Sequence, residues 1–396
     1  MADEKLVPKL RFAGFNDNWQ KTTLNDIATF SKGKGISKND ISEEGIECVR
    51  YGELYTKYGE LIYNIDSKTN LNKNELILSN KNDILIPCSG ETAIDLATAS
   101  CIQKEQVAIG GDITIIQTNQ YAPFITYYLN QKRNEIARFA QGVSIVHLYS
   151  KDFKALKMKI PSINEQKKII SLLEVLTKKE QLLEQKYRNY QEFKKYLMQQ
   201  IFAQKLRFNF DDEWCRYNLG DISIIGKGFT PSTSNPNYWD GDIDWLSIAD
   251  MNQGKYINFT NKKITAEGCK NKKIVKKGTL LMSFKLTIGR LGILNKDMYT
   301  NEAICNFQWK NENVSTNYMY YYLNSINILK YGAQAAKGIT LNNETLKTIP
   351  VLLPSIDEQN EISNVLSTVD NKINSIENNI NNINLFKKGL LQQMFI

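Results

Sequence analysis

One segment of this chain occurs twice. Residues 161–202 read PSINEQKKIISLLEVLTKKEQLLEQKYRNYQEFKKYLMQQIF, and residues 354–395 read PSIDEQNEISNVLSTVDNKINSIENNINNINLFKKGLLQQMF. They align without a gap at an offset of 193 residues, close to half of the 396-residue chain. Each opens with the pattern of a capping box, Ser162 with Glu165 and Ser355 with Glu358, in which the two side chains satisfy the first free N–H groups of a helix. Each then carries an apolar seam at steps of four and three. The first runs Ile169, Leu173, Leu176, Leu183, Tyr187, Tyr190, Leu197, Ile201, broken by Glu180 and Lys194. The second runs Ile362, Leu366, Val369, Ile373, Ile376, Ile380, Ile383, Leu390, Met394, broken by Lys387. Such spacing over several heptads predicts coiled-coil helices, each roughly 40 residues and so ~60 Å long. Neither helix can bury its seam alone, and the domain between them returns the chain, so the expected pairing is antiparallel.

The repeat is larger than the helix. Lys9-Leu-Arg-Phe12, Trp19 and Leu24-Asn-Asp-Ile27 precede the first globular segment, and Lys205-Leu-Arg-Phe208, Trp214 and Leu219-Gly-Asp-Ile222 precede the second. Gln199-Gln-Ile-Phe202 runs straight into Lys205, whereas the continuation of Gln392-Gln-Met-Phe395 stands at the other end of the sequence, around Lys9. The expected architecture is therefore cyclic and pseudo-two-fold, with the two ends of the sequence close together. Its parts are a domain at residues 1–160, a helix at 161–203, a domain at 204–353 and a helix at 354–396, with residues 1–8 a loose tail. Apolar runs at residues 83–86, 112–116, 279–282 and 303–307 predict strands, and aromatic stretches at 124–140 and 318–331 predict helices. The fold class is α+β: two mixed α/β domains joined by two long antiparallel coiled-coil helices.

Composition narrows the chemistry. A hydrophobic content of 42% with 23% charged residues is ordinary for a globular protein. No apolar run is long enough to span a bilayer and no leader pattern opens the chain, which predicts a cytoplasmic protein without membrane contact. Cys48, Cys88, Cys101, Cys215, Cys269 and Cys305 form no C-x-x-C pair and read as reduced, mostly buried thiols. With His147 as the sole histidine, a zinc site or a histidine base has almost no material, and no metal site is expected. The net charge of +8 and pI near 8.9 are compatible with a polyanionic partner.

Candidate contacts lie on loops rich in Gly, Ser, Thr, Asn and Lys. In the first half these are Lys32, Lys34 and Lys38, then Arg50 and Tyr51, then Ser89 and Thr92. In the second they are Lys227, Thr230 and Ser232, then Asn237 and Tyr238, then Lys285 and Arg290. Such side chains on glycine-loosened loops suit phosphate and base-edge contacts, and equally suit plain solvated loops. Trp19, Trp214 and His147 read as packed rather than ligand-contacting residues. Lys194-Lys195 and Lys387-Lys388 read as solvated charges, although Lys194 and Lys387 fall on the seam, where polar groups fix register.

These residues together resemble the specificity (S) subunit of type I restriction-modification systems. The resemblance is carried by the domain-plus-helix repeat and by Pro-Ser-Ile-x-Glu-Gln at each helix start. It is carried further by Thr230-Pro-Ser232, the segment from Tyr238 through Ile243 and Trp245 to Asp250, Gly33-Lys-Gly-Ile36, Val49-Arg-Tyr-Gly52 and Ile84-Leu-Ile-Pro-Cys-Ser-Gly90. It covers essentially the whole chain. It implies two target-recognition domains, each reading one half of a split sequence in double-stranded DNA, with the helices setting the unread gap. It also implies two methyltransferase (M) subunits docked on the helices, for which the apolar positions off the seam, Leu172, Leu182, Phe193 and Phe386, are candidates, and restriction (R) subunits beyond them. The S subunit of that family has no catalytic centre. S-adenosylmethionine is expected on the methyltransferase partner, and ATP and Mg on the restriction partner.

Two other classes of function compete, an enzyme acting on DNA and an interaction adaptor. Asn235-Pro-Asn-Tyr238 is similar to the Asn-Pro-Pro-Tyr motif of amino-methyltransferases, but Asn237 replaces the second proline and no Gly-rich methyl-donor loop precedes it. No Asp/Glu/Lys set has the metal-site spacing of a nuclease. The other alternative is a coiled-coil protein-interaction adaptor without sequence-specific DNA binding.

Overall fold

The computed structural model describes residues 7–142, 145–285, 287–335 and 338–396. Most of the expected N-terminal tail, residues 1–6, therefore lies outside the described residues. The chain divides into two compact units, Met1–Leu183 with Asn378–Ile396, and Glu184–Glu377.

The first unit is built on a five-stranded sheet. Its order is Ala28–Lys32, Ile113–Thr118, Ile84–Pro87, Ser100–Ile102 and Leu61–Ile62, antiparallel except for the last pair, which is parallel. Alternation along the central strands decides the layering. Ile84, Ile86 and Ile116 face one buried cluster, while Leu85, Ile113 and Ile115 face another. A sheet covered on both faces needs nearly continuous apolar strands, which is why these runs were legible. A four-stranded sheet, Ala108–Ile109, Ile46–Val49, Ser67–Thr69 and Ile41–Ser42, stands beside it.

The second unit repeats the plan. Ser223–Lys227, Ile304–Trp309, Leu280–Ser283, Leu291–Leu294 and Tyr256–Ile257 form a five-stranded sheet with the same directions. The second sheet here has three strands, Lys262–Ile264, Trp239–Leu246 and Tyr299–Thr300. The aromatic helices run Ala122–Gln131 and Thr316–Ser325, shorter than expected. Arg133–Ala137 and the 3-10 turn Ile328–Tyr331 continue them as separate elements.

Two helices of about the expected length are present, Ile163–Phe202 and Ile356–Met394. In the first unit Ile169, Ile170 and Leu173 share a core with Leu390, Met394 and Phe395. In the second, Leu197 and Ile201 share one with Ile362, Leu366, Val369 and Ile373. The start of each helix thus meets the end of the other, which is antiparallel pairing. Along the seams Leu173, Leu366, Val369 and Ile376 are buried, and Leu176, Leu183, Tyr187 and Ile380 are half-buried. The residues that interrupt the seams are paired: Lys387 Nζ lies 3.8 Å from Glu180, and Lys194 Nζ 2.6 Å from Asp370.

The cyclic order of the repeat is realised within each unit. Leu206 N–H donates to Gln200 O at 3.1 Å in the second unit, and Leu10 N–H donates to Gln393 O at 3.0 Å in the first. Phe202 packs on Tyr318 and Tyr322, and Phe395 packs on Phe124 and Tyr128. The last residues of the sequence therefore do for the first unit what the end of the first helix does for the second.

The helix starts correct one expectation. The carboxylates of Glu165 and Glu358 do not turn back to the serines of a capping box. Glu165 receives Nε and Nη2 of Arg11 at 2.7 and 2.8 Å, and Glu358 receives those of Arg207 at 3.1 and 2.8 Å. Ser162 Oγ accepts from Glu165 N–H only at 3.5 Å, and the buried Ser355 Oγ has no hydrogen-bond partner among the described residues. The reason is energetic: a guanidinium meets a carboxylate with two charge-assisted bonds, stronger than one bond to a backbone N–H. The next residue of the motif is equally committed. Gln166 accepts from Tyr121 N–H and donates to Pro161 O, and Gln359 accepts from Ser315 N–H and donates to Pro354 O. The Glu-Gln pair thus ties each long helix to the Lys-Leu-Arg-Phe entry and to the aromatic helix of its own unit.

Five of the six cysteines are buried and Cys215 is exposed, all as free thiols. No described helix is long and apolar enough to cross a membrane.

Candidate nucleic-acid interface

In each unit the first strand of the five-stranded sheet ends in a lysine followed by a glycine. Lys32 pairs with Thr114 and Lys227 with Cys305. The glycine then lies flat on the neighbouring loop, Gly33 N–H donating to Ile113 O and Gly228 N–H to Ile304 O, each at 3.1 Å. A Cβ at Gly33 would stand 2.1 Å from Gly110 O, and one at Gly228 would stand 2.0 Å from Thr300 O. Only glycine fits, and the loop beyond is thereby carried across to the second sheet.

In the first unit that crossing opens a groove of about 1020 Å³ whose lining includes Gly35, Lys38, Arg50, Tyr51, Tyr55 and Lys57. Lys38, Arg50 and Tyr51, candidates from two separate loops, are thus brought together on one groove. Arg50 stands at the start of the helix Tyr51–Thr56, and its N–H donates to Glu53 at 2.9 Å. Burial works to raise the Glu53 carboxyl, but hydrogen bonds from Ser67, Arg50 N–H and Lys57 outweigh it and hold it below the usual range. Arg50 Nε is buried with no hydrogen-bond partner among the described residues. Lys34 is exposed, its N–H held by Ile109 O.

Ser89 and Thr92 lie elsewhere. The Ser89 hydroxyl is 3.1 Å from His147 Nδ1. Thr92 caps the helix Ala93–Leu96, its Oγ1 accepting from Asp95 N–H, so its hydroxyl already has a structural task.

In the second unit a groove of about 510 Å³ is lined by Thr230, Ser232, Tyr238, Lys270 and Lys272 among others. Here the tryptophans of the sequence motif are scaffold. Trp245 Nε1 donates to Phe229 O and Trp239 Nε1 to Ser232 O, and the two rings meet edge-on at 5.1 Å. Asp250 closes a turn by accepting from Ser247 N–H and Asn261 N–H. Asn237 is exposed next to this groove, in the short turn Pro236–Tyr238. Lys285 is exposed on another loop with its ammonium over Phe284, and Arg290 donates to Ile248 O at 3.3 Å. Neither Lys285 nor Arg290 lines the groove. Lys270 and Lys272 were missed from sequence because a lysine run reads as solvent-facing; the fold brings the turn that carries them onto the same groove as Thr230.

On the helices, Leu182, Phe193 and Phe386 are exposed at 58%, 49% and 56%, and Leu172 is half-buried. Trp19 is buried, and Trp214 donates to Glu358 at 3.2 Å. Among the described residues no group of three or more His, Cys, Asp or Glu could hold a metal ion.

The sequence pattern of the type I restriction modification DNA specificity domain matches residues 16–189 and again 211–385. The chain belongs to that family. It is 31% identical over 166 residues to the type I restriction enzyme MjaIX specificity subunit of Methanocaldococcus jannaschii, an alignment spanning 40% of this chain and 38% of that protein. The MjaVIII specificity subunit of the same organism is 22% identical over 402 residues, spanning 95% of this chain and 91% of the relative. The EcoBI specificity subunit of Escherichia coli is 20% identical, spanning 88% and 78%. The crystal structure of a type I restriction-modification S subunit from M. genitalium has the same fold, with a TM-score of 0.65 at 16% identity over 98% of this chain and 99% of that one. The two family matches coincide with the two copies of the repeat, so each globular segment is a DNA specificity domain. This family membership leaves the adaptor alternative without support.

Proposed function

We propose that this chain is the DNA-recognition subunit of a type I restriction-modification complex, each unit reading one half of a bipartite target in double-stranded DNA. The observation that carries the reading is the same five-stranded sheet plan in both units, each with a glycine crossing that opens a groove lined by basic, hydroxyl and tyrosine side chains, together with the carboxylates of Asp40, Glu53 and Asp112 in the first and of Glu267 in the second. The different lining of the grooves supports an asymmetric target. Base edges are read by side chains, and the first groove offers Arg50 where the second offers Thr230 and Ser232.

The long helices set the unread gap, and the exposed Leu182, Phe193 and Phe386, with Leu172, dock two methyltransferase subunits. The chain itself carries no catalysis. S-adenosylmethionine belongs to the methyltransferase partner, and ATP with Mg to the restriction partner. Mapping methylated bases in DNA from cells carrying the complete system tests this. A split motif with a fixed gap is expected, and methylation without a bipartite motif would refute it.

A further inference from the structure

The surface around His147 is not used by the grooves. The strand Val146–His147 pairs with Ser89–Gly90, and the imidazole stacks on Tyr149 with ring centroids 6.0 Å apart and planes 10° apart. Two ammonium groups lie against that same tyrosine ring, Lys32 Nζ at 5.4 Å and Lys151 Nζ at 5.7 Å from its centroid. Tyr149 is 38% exposed and both lysines are exposed. Among the described residues neither lysine forms an ion pair, and the Tyr149 hydroxyl makes no hydrogen bond. The adjacent Asp152 has one carboxylate oxygen buried and is paired with neither lysine. Two like charges gathered on one exposed ring, neither of them ion-paired among the described residues, form a surface prepared for an external anion.

The second unit is built otherwise at the same place. The offset of 193 that relates the helices puts Asn342 at the position of Tyr149 and Glu344 at that of Lys151. Asn342 Oδ1 accepts from Thr345 N–H at 2.9 Å, and Glu344 pairs with Lys347 at 2.8 Å. Each of these two side chains is thus committed locally, and among the described residues neither position adds a positive charge beside the exposed Lys227, the counterpart of Lys32.

We propose that Lys32, His147, Tyr149 and Lys151 form a phosphodiester-binding site for one strand of duplex DNA, without a counterpart at Asn342 and Glu344. The lysines neutralise phosphate charge, the tyrosine hydroxyl donates to a phosphate oxygen, and the histidine braces the ring through Ser89. This rests on the DNA-recognition reading and adds to it that the first unit grips the backbone more strongly than the second.

The test uses the full chain assembled with its methyltransferase subunits and a labelled duplex carrying the mapped target. Affinity is measured across a salt series, and again on a duplex with the first half-site scrambled. Lys32→Gln with Lys151→Gln should lower the slope of log affinity against log salt by about 2, since each lost phosphate contact removes ~0.9. Binding to both duplexes should weaken by the same factor, with the methylated motif unchanged. Tyr149→Phe should keep most of the slope and Tyr149→Ala should lose part of it. Both lysines are exposed, so the double variant does not put folding at risk. An unchanged slope overturns the proposal, and so does a loss confined to the intact half-site, which would mean base contact. If the unaltered complex fails to distinguish the two duplexes at any salt, it is the specificity reading that falls.

Discussion

Arg11 and Arg207 each hold a carboxylate that is almost wholly out of water, Glu165 at 1% and Glu358 at 0% exposure. Arg11→Ala would strand Glu165, and breaking such a pair costs roughly 3 kcal/mol, less as solvent reaches the vacated carboxylate. Urea unfolding should show the loss, and a midpoint unchanged from the parent would show that the pair does not anchor the helix. Lys255 gives a pH signature. Its ammonium donates to Ser367 at 2.9 Å and lies 4.5 Å from the Tyr321 ring centre. Burial chiefly depresses its pKa to about 8, with Lys194 adding to the effect and Asp370 opposing it. The folded chain therefore sheds this proton before the unfolded chain does, and its stability rises as pH passes from about 8 towards 10. Lys255→Met should flatten that rise, read as the difference in unfolding midpoint between the two chains. An identical pH profile for both would sink the assignment.

At the scale of the element, the long helices were legible because a seam of period three and four repeats over many turns and needs no knowledge of the partner. What the seam's interruptions do was not, because Glu180 and Lys387 stand 207 residues apart in sequence. The same reason hid the true role of Glu165, whose spacing from Ser162 fits a local cap while its partner enters from a distant segment. Of the candidate contacts, Lys38, Arg50 and Thr230 were named from glycine-rich composition, and the fold puts each of them on a groove. Tyr149, Lys151, Lys270 and Lys272 were not named, since only the folded chain brings them beside residues distant in sequence, Tyr149 and Lys151 near Lys32 and the other two near Thr230. Glu180→Lys should destabilise the chain, and adding Lys387→Glu should restore it, with a coupling of about 0.5–3 kcal/mol in a double-mutant cycle. Additive effects would mean that the pair is incidental. A two-residue insertion after Leu176 alone should be worse. It turns Leu183 and the seam beyond it towards water, and each apolar side chain exposed costs ~1.5–3 kcal/mol. Loss of assembly, seen as failure to co-purify with the methyltransferase subunits, is the expected outcome.

For the whole molecule the matching experiment is a full heptad inserted in both helices, after Leu176 and after Val369. The seam stays in phase while each helix grows by ~10.5 Å, equivalent to ~3 base pairs. The complex should methylate the same half-sites across a longer gap. A variant that folds and methylates with the original gap would remove the helices as the ruler. A different consequence follows from the way each unit is completed. Leu197, Ile201 and Phe202 serve the second unit as Leu390, Met394 and Phe395 serve the first. A gene cut to its first half, encoding residues 1–203, would still specify a reading domain and the helix end such a domain needs, only on a second copy of itself. Two such half-length products could trade those ends, and the DNA word they read would become a palindrome. The duplication in this sequence thus freed two halves of one word to evolve apart.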